Sequence, residues 1–314
     1  MHTPDTLRVI TVNLEHNGLP LGGQPDRREE ARTHLAGLRP DIVLRQEVRG
    51  PDGTDTSARA ELHDEAEQLG LEIGVLAPGT RESPNATAVL INPDLVEVLE
   101  PYTHVTGMWH PIANPVVRLR GTSRPLGLAS MHLCSWDTDW REREARRLLI
   151  LADKGRSAII GGDTNSYPHT PVERHALPDW TTVADPGHVQ RRTVRDTTGR
   201  LVSHTRPDGI LAGVSPAGTA PYVELGIYAA TNGLGQPAAE VHRHEALTPT
   251  ASLWPRDPDQ GPRQRIDRLY CTPDLAPALR RVWVDDSPAW SDSSAHAIVG
   301  ADFELEALRH LLTQ

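Results

Sequence analysis

Short apolar runs rich in β-branched residues alternate with longer amphipathic stretches along the first half of the chain, and this alternation restricts the fold most strongly. Such runs are typical of buried strands, whereas apolar residues repeated every three to four positions are typical of helices. Strands are predicted at 7–14, 41–48, 72–77, 87–92, 96–99, 115–120, 126–133 and 157–162. Helices are predicted at 27–38, 57–69 and 138–154, with Asp26 as the first N-cap and Gly70 and Gly155 closing the other two. We therefore expect a mixed α/β protein with many strands.

Residues 168–262 depart from this pattern, because Pro and Gly are frequent there and the periodicity is weak. A structureless loop of this length is uncommon inside a compact domain. We therefore expect an elaborated insertion with short helices, packed near the functional site. Strand character returns at 265–271, 280–286 and 297–305. The prediction is one domain over residues 1–314, with an insertion at about 168–262.

Composition excludes several classes of protein. The net charge is −10, which argues against a protein that coats DNA through phosphate charge but permits an enzyme with a local basic groove. Of the 32 Lys and Arg residues all but Lys154 are arginine, a bias that GC-rich coding explains without nucleic-acid binding. The two cysteines give neither a disulfide framework nor metal-ligand spacing. Without a secretory leader or an apolar run of about 18 residues, we expect a cytoplasmic, monomeric protein with no membrane span.

Polar residues stand inside or at the tips of six of the apolar segments. They are Asn13, Glu47 beside Gln46, His132, Asp163 with Asn165, Asp267, and His296 just before the last strand. Buried polar groups need a partner or a ligand. Ligands of α/β proteins collect where strands end. The sequence therefore predicts a functional site assembled from strand ends.

The residue types favour metal-assisted hydrolysis of a phosphoester. Glu47 is a hard oxygen ligand suited to Mg²⁺ or Mn²⁺. Asn13 and Asn165 can hold a phosphoryl oxygen without adding charge, and Asp163 can take a proton from water. Two histidines, His132 and His296, can donate to an anionic oxygen, with Asp267 fixing one imidazole. The sequence contains no nucleophile elbow with Ser or Cys and no G-x-x-x-x-G-K-[ST] loop.

Each of these residues also has an ordinary structural interpretation. Asn13 suits a turn at a strand end. Glu47 suits a strand end that is exposed to solvent. His132 suits a hydrogen-bonded core position, and Asp267 suits an ion pair with a flanking arginine. The joint occurrence of all six strand ends favours the functional interpretation.

The sequence resembles the endonuclease/exonuclease/phosphatase superfamily, the DNase I-like group. The matching segments are TVNLEHN (11–17), PDIVLRQEV (40–48), SMHL (130–133), GGDTNSYP (161–168), RIDRLY (265–270) and SSAHAIVGADF (293–303). The resemblance implies a four-layer α-β-β-α sandwich of two mixed sheets with outer helices. It also implies a Mg²⁺ or Mn²⁺ site at one edge of the sheets.

The resemblance further implies a role for each matched residue. Glu47 would bind the metal, and Asn13 would contact metal or phosphate. His132 would contact the scissile phosphate, Asp163 would activate water and Asn165 would orient the transition state. The pair Asp267 and His296 would stabilise the transition state or transfer a proton.

One position departs from the family pattern, because the acid that normally precedes the last histidine is replaced by Ala295. Asp292, four residues before His296, is a candidate replacement if a longer loop brings it to the site. If nothing supplies the acid, metal affinity or pH dependence would change, and a non-catalytic relative becomes an alternative.

Three hypotheses for the function remain, and they differ in the substrate or ligand. The first is a nuclease-type phosphodiesterase, with Arg265 and Arg268 beside Asp267 as substrate contacts. The second is a phosphoesterase for a small phosphorylated metabolite or a lipid headgroup, favoured by the negative charge and the long insertion. The third is a binding relative without turnover. The seven tryptophans are expected mainly in the core, although aromatic side chains can stack on bases.

Overall fold

The structure, a computed structural model, describes residues 5–20, 23, 25–236, 238–254 and 262–314, except the side chain of His175. In chain order the strands are β1 (Thr6–Asn13), β2 (Ile42–Val48), β3 (Glu72–Ala77), β4 (Ala86–Ile91), β5 (Val96–Glu100), β6 (Thr103–His104), β7 (Ile112–Ala113), β8 (Val116–Leu119), β9 (Leu126–His132), β10 (Ser157–Asp163), β11 (Thr193–Arg195), β12 (Leu201–Ser203), β13 (Val223–Glu224), β14 (Asp267–Cys271), β15 (Leu279–Asp285) and β16 (Ile298–Glu304). The α-helices are α1 (Arg28–Leu38), α2 (Asp55–Leu69), α3 (Thr138–Leu148), α4 (Pro186–Arg192), α5 (Arg206–Ala212), α6 (Leu225–Asn232), α7 (Pro288–Ser291) and α8 (Leu305–Leu311). None of the helices in this part of the chain is long and apolar enough to cross a bilayer.

Two large mixed sheets pack face to face with helices outside, which confirms the predicted four-layer sandwich. The first sheet has six strands in the order β15-β16-β1-β2-β4-β3. The second has eight strands, with the path β13-β14-β10-β9-β7-β6, while β8 pairs with β9 and β5 pairs with β8. Strands β11 and β12 form a separate two-stranded ribbon.

Both faces of the central strands are buried, which explains why their sequences are almost continuously apolar. In β1, Leu7 and Val9 belong to the core between the sheets, whereas Ile10 and Val12 belong to the layer under the first two helices. A third apolar layer, which includes Leu148 of α3, covers the outer face of the second sheet. Truncating such a buried leucine to alanine typically costs about 2–5 kcal/mol.

The strand register brings the polar strand ends together. Strands β1 and β2 are parallel, so Asn13 lies beside Gln46. In the second sheet β10 runs parallel to β9 and antiparallel to β14, which places Asp163 directly between His132 and Asp267. Because parallel strands end at the same edge of a sheet, the sequence order of the motifs becomes a single cluster in space.

Most predicted boundaries lie within one or two residues of the observed ones. Gly70 ends α2 in the left-handed conformation, as predicted. The predicted helix 138–154 is shorter, because α3 ends at Leu148 and the chain continues in two 3-10 turns. The N-cap of α1 is Arg27 rather than Asp26, whose carboxylate instead accepts the Arg28 N–H at 3.1 Å.

The segment 168–262, predicted to be an insertion, contains short elements, and its residues 237 and 255–261 lie outside the described ones. It contributes α4, α5, α6 and the β11–β12 ribbon. Its strand β13 extends the second sheet by pairing with β14, Glu224 lying beside Tyr270. The assignment of residues 1–314 to one domain stays a prediction.

Candidate active site

The predicted strand ends meet at a cleft of about 510 Å³ at one edge of the two sheets. The cleft is lined by five of the predicted residues, namely Glu47, His132, Asp163, Asn165 and His296. The other two lie directly behind them. Asn13 Nδ2 donates to Asp163 Oδ2 at 3.3 Å, and Asp267 contacts the His296 ring.

The Gly161-Gly162 pair permits the close packing that brings Asp163 to the cleft. A Cβ on Gly162, whose φ is 145°, would lie 1.8 Å from the Met131 carbonyl oxygen, so only glycine fits. Past the strand, Asn165 is left-handed at φ 48° and its backbone N–H donates to Asp163 Oδ1 at 2.7 Å. Its side-chain amide donates to the Leu133 carbonyl at 2.9 Å. The loop therefore fixes the Asp163 carboxylate by backbone geometry.

Asp267 and His296 form a buried charged pair. His296 Nδ1 lies 3.0 Å from Asp267 Oδ2, and the Thr250 hydroxyl donates to the same oxygen at 2.8 Å. Burial alone would lower the pKa of His296, but the carboxylates of Asp267 and Asp163 outweigh burial and raise that pKa to about 9. The imidazole is therefore a cation at neutral pH, with Nε2 left as a donor.

His132 is the opposite case, a histidine held neutral. Its Nε2 lies 3.5 Å from Asp163 Oδ2. Its ring stacks on that of His110, with centroids 3.9 Å apart and an interplanar angle of 13°. Burial, with the nearby cations His296 and Arg192, lowers the pKa of His132 to about 3. Sequence reasoning missed His110, whose Nδ1 is 2.9 Å from the Ser83 hydroxyl.

Glu47 reaches the cleft through an irregularity of β2. Its φ is 55°, and the pairing of β2 with β4 shifts register between Arg45 and Val48. The backbone N–H of His16 donates to Glu47 Oε2 at 2.8 Å. Burial raises the pKa of Glu47, and the His16 N–H and the charges of His16 and His296 offset that rise only in part.

Two further oxygen groups belong to the chain around the end of β1. The Oδ1 atom of Asn13 is buried and has no hydrogen-bond partner among the described residues. Glu15, which sequence reasoning missed although it lies two residues after Asn13, lines the cleft, as Glu47 and Ala295 do. After burial, the negative charge of Glu15 further raises the pKa of Glu47. Oxygen donors gathered around two neighbouring carboxylates fit a hard divalent cation.

The segment before His296 holds no acid at the cleft. The Ser294 hydroxyl donates to the Asn13 carbonyl at 2.8 Å and accepts the His296 N–H at 3.2 Å. Ala295 is buried. The candidate replacement Asp292 does not supply the missing acid, because this residue caps the C-terminus of α7, is exposed and does not line the cleft.

The expected substrate contacts of Arg265 and Arg268 are also wrong. Arg265 is buried and its guanidinium forms ion pairs with Glu173 at 2.7 Å and Glu224 at 2.8 Å. Arg268 is fully buried, with Nη1 3.2 Å from Asp208 Oδ1. These arginines flank Asp267 in sequence, but their charges join the insertion to the second sheet and face away from the cleft.

The arginines at the cleft come from elsewhere. Helix α4 of the insertion presents His188, Arg191 and Arg192 to it, and Arg49 follows β2. Arg192 Nη1 donates to both the backbone oxygen and Oδ1 of Asn165, at 2.8 and 2.7 Å. The H-x-x-R-R spacing, which places three basic side chains on one helical face, is the signal that could have found them.

The fold and the cleft define the class: a two-sheet sandwich with carboxylates, amides and histidines gathered at one sheet edge, as in DNase I-like phosphoester hydrolases. The sequence profile of the Endonuclease/Exonuclease/phosphatase family matches residues 10–296. The chain belongs to this family, whose members are generally phosphoester hydrolases.

Solved structures confirm the fold. TDP2 of D. rerio in complex with a single-strand DNA product has a TM-score of 0.57 and 15% identity, with 95% of this chain and 98% of that chain covered. A family protein of Bacteroides vulgatus gives a TM-score of 0.58 and 15% identity, covering 96% and 99%. An AP endonuclease of Archaeoglobus fulgidus gives 0.55 and 14%, covering 95% and 99%. A search of curated proteins finds no match.

Proposed function

We propose that this chain is a divalent-metal-dependent phosphodiesterase of the nuclease type. The observation that carries the proposal is the row of side chains across the second sheet, in which Asp163 lies between His132 and the Asp267–His296 pair. A proton acceptor thus lies beside one neutral and one cationic donor. This is the arrangement that displacement at an anionic phosphorus requires. The similar structures of TDP2 with single-strand DNA and of an AP endonuclease support a phosphodiester substrate.

The residues that would hold Mg²⁺ or Mn²⁺ are Glu47, the Oδ1 of Asn13, and Glu15 in place of the acid lost at Ala295. All three are hard oxygen donors, and Mg²⁺ typically takes one or two carboxylates and keeps several waters. When bound, the metal would act as a Lewis acid on the phosphoryl oxygen. A second group, Asp163, Asp267 and His296, has ligand atoms within 4.8 Å of one another. We assign that group to proton chemistry, because Asp267 already holds His296 through Nδ1 at 3.0 Å and Asp163 lies between His132 and Asp267 in the sheet.

The side chains then divide the reaction. Asp163 accepts a proton from the attacking water. At the same time the oxygen of that water bonds to phosphorus, and the bond between phosphorus and the leaving oxygen breaks. Oδ1 of Asp163 is already engaged by the Asn165 N–H, which orients the carboxylate. His296, held through Nδ1 by Asp267, donates from Nε2 to the phosphoryl oxygen. His132 is neutral and donates without adding a second positive charge beside it.

A phosphoesterase for a small phosphorylated molecule is the second candidate. The observation that favours it is the wall that the insertion supplies, since His188 and Ser252 line the same cleft as Asp163. A cavity of about 510 Å³ is within the size range of small-molecule sites. A lipid headgroup and a free metabolite share this phosphate chemistry.

The experiment is hydrolysis of bis(p-nitrophenyl) phosphate with Mg²⁺ or Mn²⁺, followed by oligonucleotides and a panel of phosphorylated metabolites. We expect turnover of the diester that EDTA and Asp163→Ala both abolish, while the exposed control Asp292→Asn stays active. Cleavage of oligonucleotides supports the nuclease. Phosphate release from a metabolite alone would favour the second candidate. Binding of nucleotides without hydrolysis under any metal would contradict both and leave the binding relative.

A further inference from the structure

One tryptophan departs from the expected core position. Trp136 is 56% exposed and lies at the cleft, four residues after His132, on the loop that leaves β9. An exposed indole is costly in water unless a partner covers it. Trp109 also lines the cleft but packs edge-on against Trp140, with centroids 5.6 Å apart. Trp136 is thus the large aromatic face that this cleft offers to solvent within the described residues.

The partner of Trp136 is a cation from the insertion. The guanidinium carbon of Arg191 lies 4.6 Å from the centroid of the indole ring. Among the described residues the structure records no hydrogen bond or ion pair for the Arg191 guanidinium. Its positive charge is therefore available at the cleft, on an aromatic surface that holds the guanidinium plane in place.

Helix α4 fixes this pair relative to the reacting centre. The Asp185 carboxylate caps the helix by accepting the N–H groups of Gly187 and His188 at 2.8 and 3.1 Å. At the other end Arg192 is bonded to Asn165, two residues from Asp163. Arg191 adjoins Arg192, so its position is set by the same anchor. The Trp136–Arg191 pair is therefore linked to the Asp163 carboxylate through Arg192 and Asn165.

We propose that Trp136 and Arg191 form a binding subsite for the nucleotide next to the scissile phosphate, and that the substrate is single-stranded nucleic acid. This rests on the phosphodiesterase function proposed above. The exposed part of the indole and the adjacent guanidinium, which has no ion pair among the described residues, match a base and the following phosphate of a strand. Bases in a duplex are already stacked and present only their edges, so a single strand or an unpaired end is the form that fits.

Binding to a hydrolysis-deficient protein tests this subsite without turnover. In an Asp163→Asn background, we would measure fluorescence anisotropy of a labelled oligothymidylate of about eight nucleotides. Trp136→Ala and Arg191→Gln are each expected to weaken binding about 10-fold or more, with Trp136→Phe retaining most of it. Tyr102→Ala and Arg243→Gln alter side chains that are 54% and 72% exposed and away from the cleft, and serve as matched controls.

Turnover gives a second readout. In the otherwise unchanged protein, Trp136→Ala should lower the ratio of kcat/KM for the oligonucleotide to that for bis(p-nitrophenyl) phosphate about 10-fold, mainly through KM. Oligonucleotide binding within two-fold of the parent for both variants would overturn the subsite, whatever the diester assay gives. A KM that rises equally for the small aromatic diester would overturn the nucleic-acid assignment. Absence of any diester hydrolysis would instead refute the phosphodiesterase, which the binding measurement does not require.

Discussion

The two sides of the cleft differ in charge balance. On the side of the second sheet, the His296 cation lies between the carboxylates of Asp267 and Asp163, so the negative charges already have a partner. On the side of the first sheet, burial raises the pKa of Glu47 and the negative charge of Glu15 adds to that rise, and the Asn13 Oδ1 is buried without a hydrogen bond among the described residues. The first arrangement contains its own cation, and an added cation would stabilise the second. Proton transfer and cation binding therefore belong to different sheets, and single substitutions should separate them.

The largest separation is expected from Asp163→Asn. Loss of a positioned general base typically costs about 10²–10⁴-fold in rate, so kcat should fall by that factor. Metal affinity should remain within about two-fold of the parent, because Asp163 is on the charge-balanced side. Diester kinetics and Mn²⁺ titration by electron paramagnetic resonance measure the two quantities on the same samples. A parallel loss of Mn²⁺ binding would contradict the division between the two sides.

The next largest effect concerns metal binding. Glu15→Gln should weaken Mn²⁺ binding about 10- to 100-fold, as typically follows loss of a group that supports a metal site, and Glu47→Gln should weaken it at least as much. Adding Ala295→Asp, which restores the family acid beside His296, to the Glu15→Gln protein should return its Mn²⁺ affinity toward that of the parent. Calorimetric titration of Mn²⁺ measures all four proteins, including Glu15→Gln/Ala295→Asp. If Glu15→Gln binds Mn²⁺ like the parent while Glu47→Gln does not, Glu15 has no part in the site.

The sequence predicted the site residues at the strand ends well, and it predicted the arginines and the contribution of the insertion less well. The reasons are physical. His132 and Asp163 are the last residues of β9 and β10, and Asp267 is the first residue of β14. The apolar runs of these strands fix the register, so the three residues meet because the strands pair. Arg265 and Arg268 were misassigned because adjacency to Asp267 does not reveal which direction a side chain takes, and both meet acids of the insertion. The contribution of α4 was missed because the insertion has weak periodicity, and its seven-residue helix is held by the Asp185 cap and the Arg192 contacts.

A smaller effect concerns the free energy of unfolding of the protein, which depends on pH through two histidines that burial keeps neutral. Burial lowers the pKa of His110 far below its usual range, and that of His132 to about 3. Unfolded histidines take up protons below about pH 6.5, whereas these folded ones do not, so stability falls as pH drops through 6.5. Each contributes a slope of about 1.4 kcal/mol per pH unit.

His110→Phe keeps a flat ring on His132 and removes one titrating group. The loss of unfolding free energy between pH 6.5 and 5 should therefore shrink by about 2 kcal/mol. Urea unfolding at each pH measures this loss. The substitution His310→Phe, on the exposed end of α8, is the matched control and should leave the slope as it is. An unchanged slope for His110→Phe would show that His110 is protonated in the folded protein.

The smallest effect expected is a displacement of the alkaline limb of the pH–rate profile. His296 acts as a cation with a pKa raised to about 9, so kcat/KM should fall as pH rises through that value. Asp267→Asn removes the largest source of that increase, while burial continues to lower the pKa. The alkaline limb should therefore move to lower pH by about one unit or more. Titration of the His296 ring by NMR in metal-free protein provides a reading independent of turnover, with Asp292→Asn as the carboxylate control. If the ring of Asp267→Asn titrates near pH 9 as in the parent, the carboxylate does not hold the proton on His296, and the charge balance assigned to this side of the cleft is wrong.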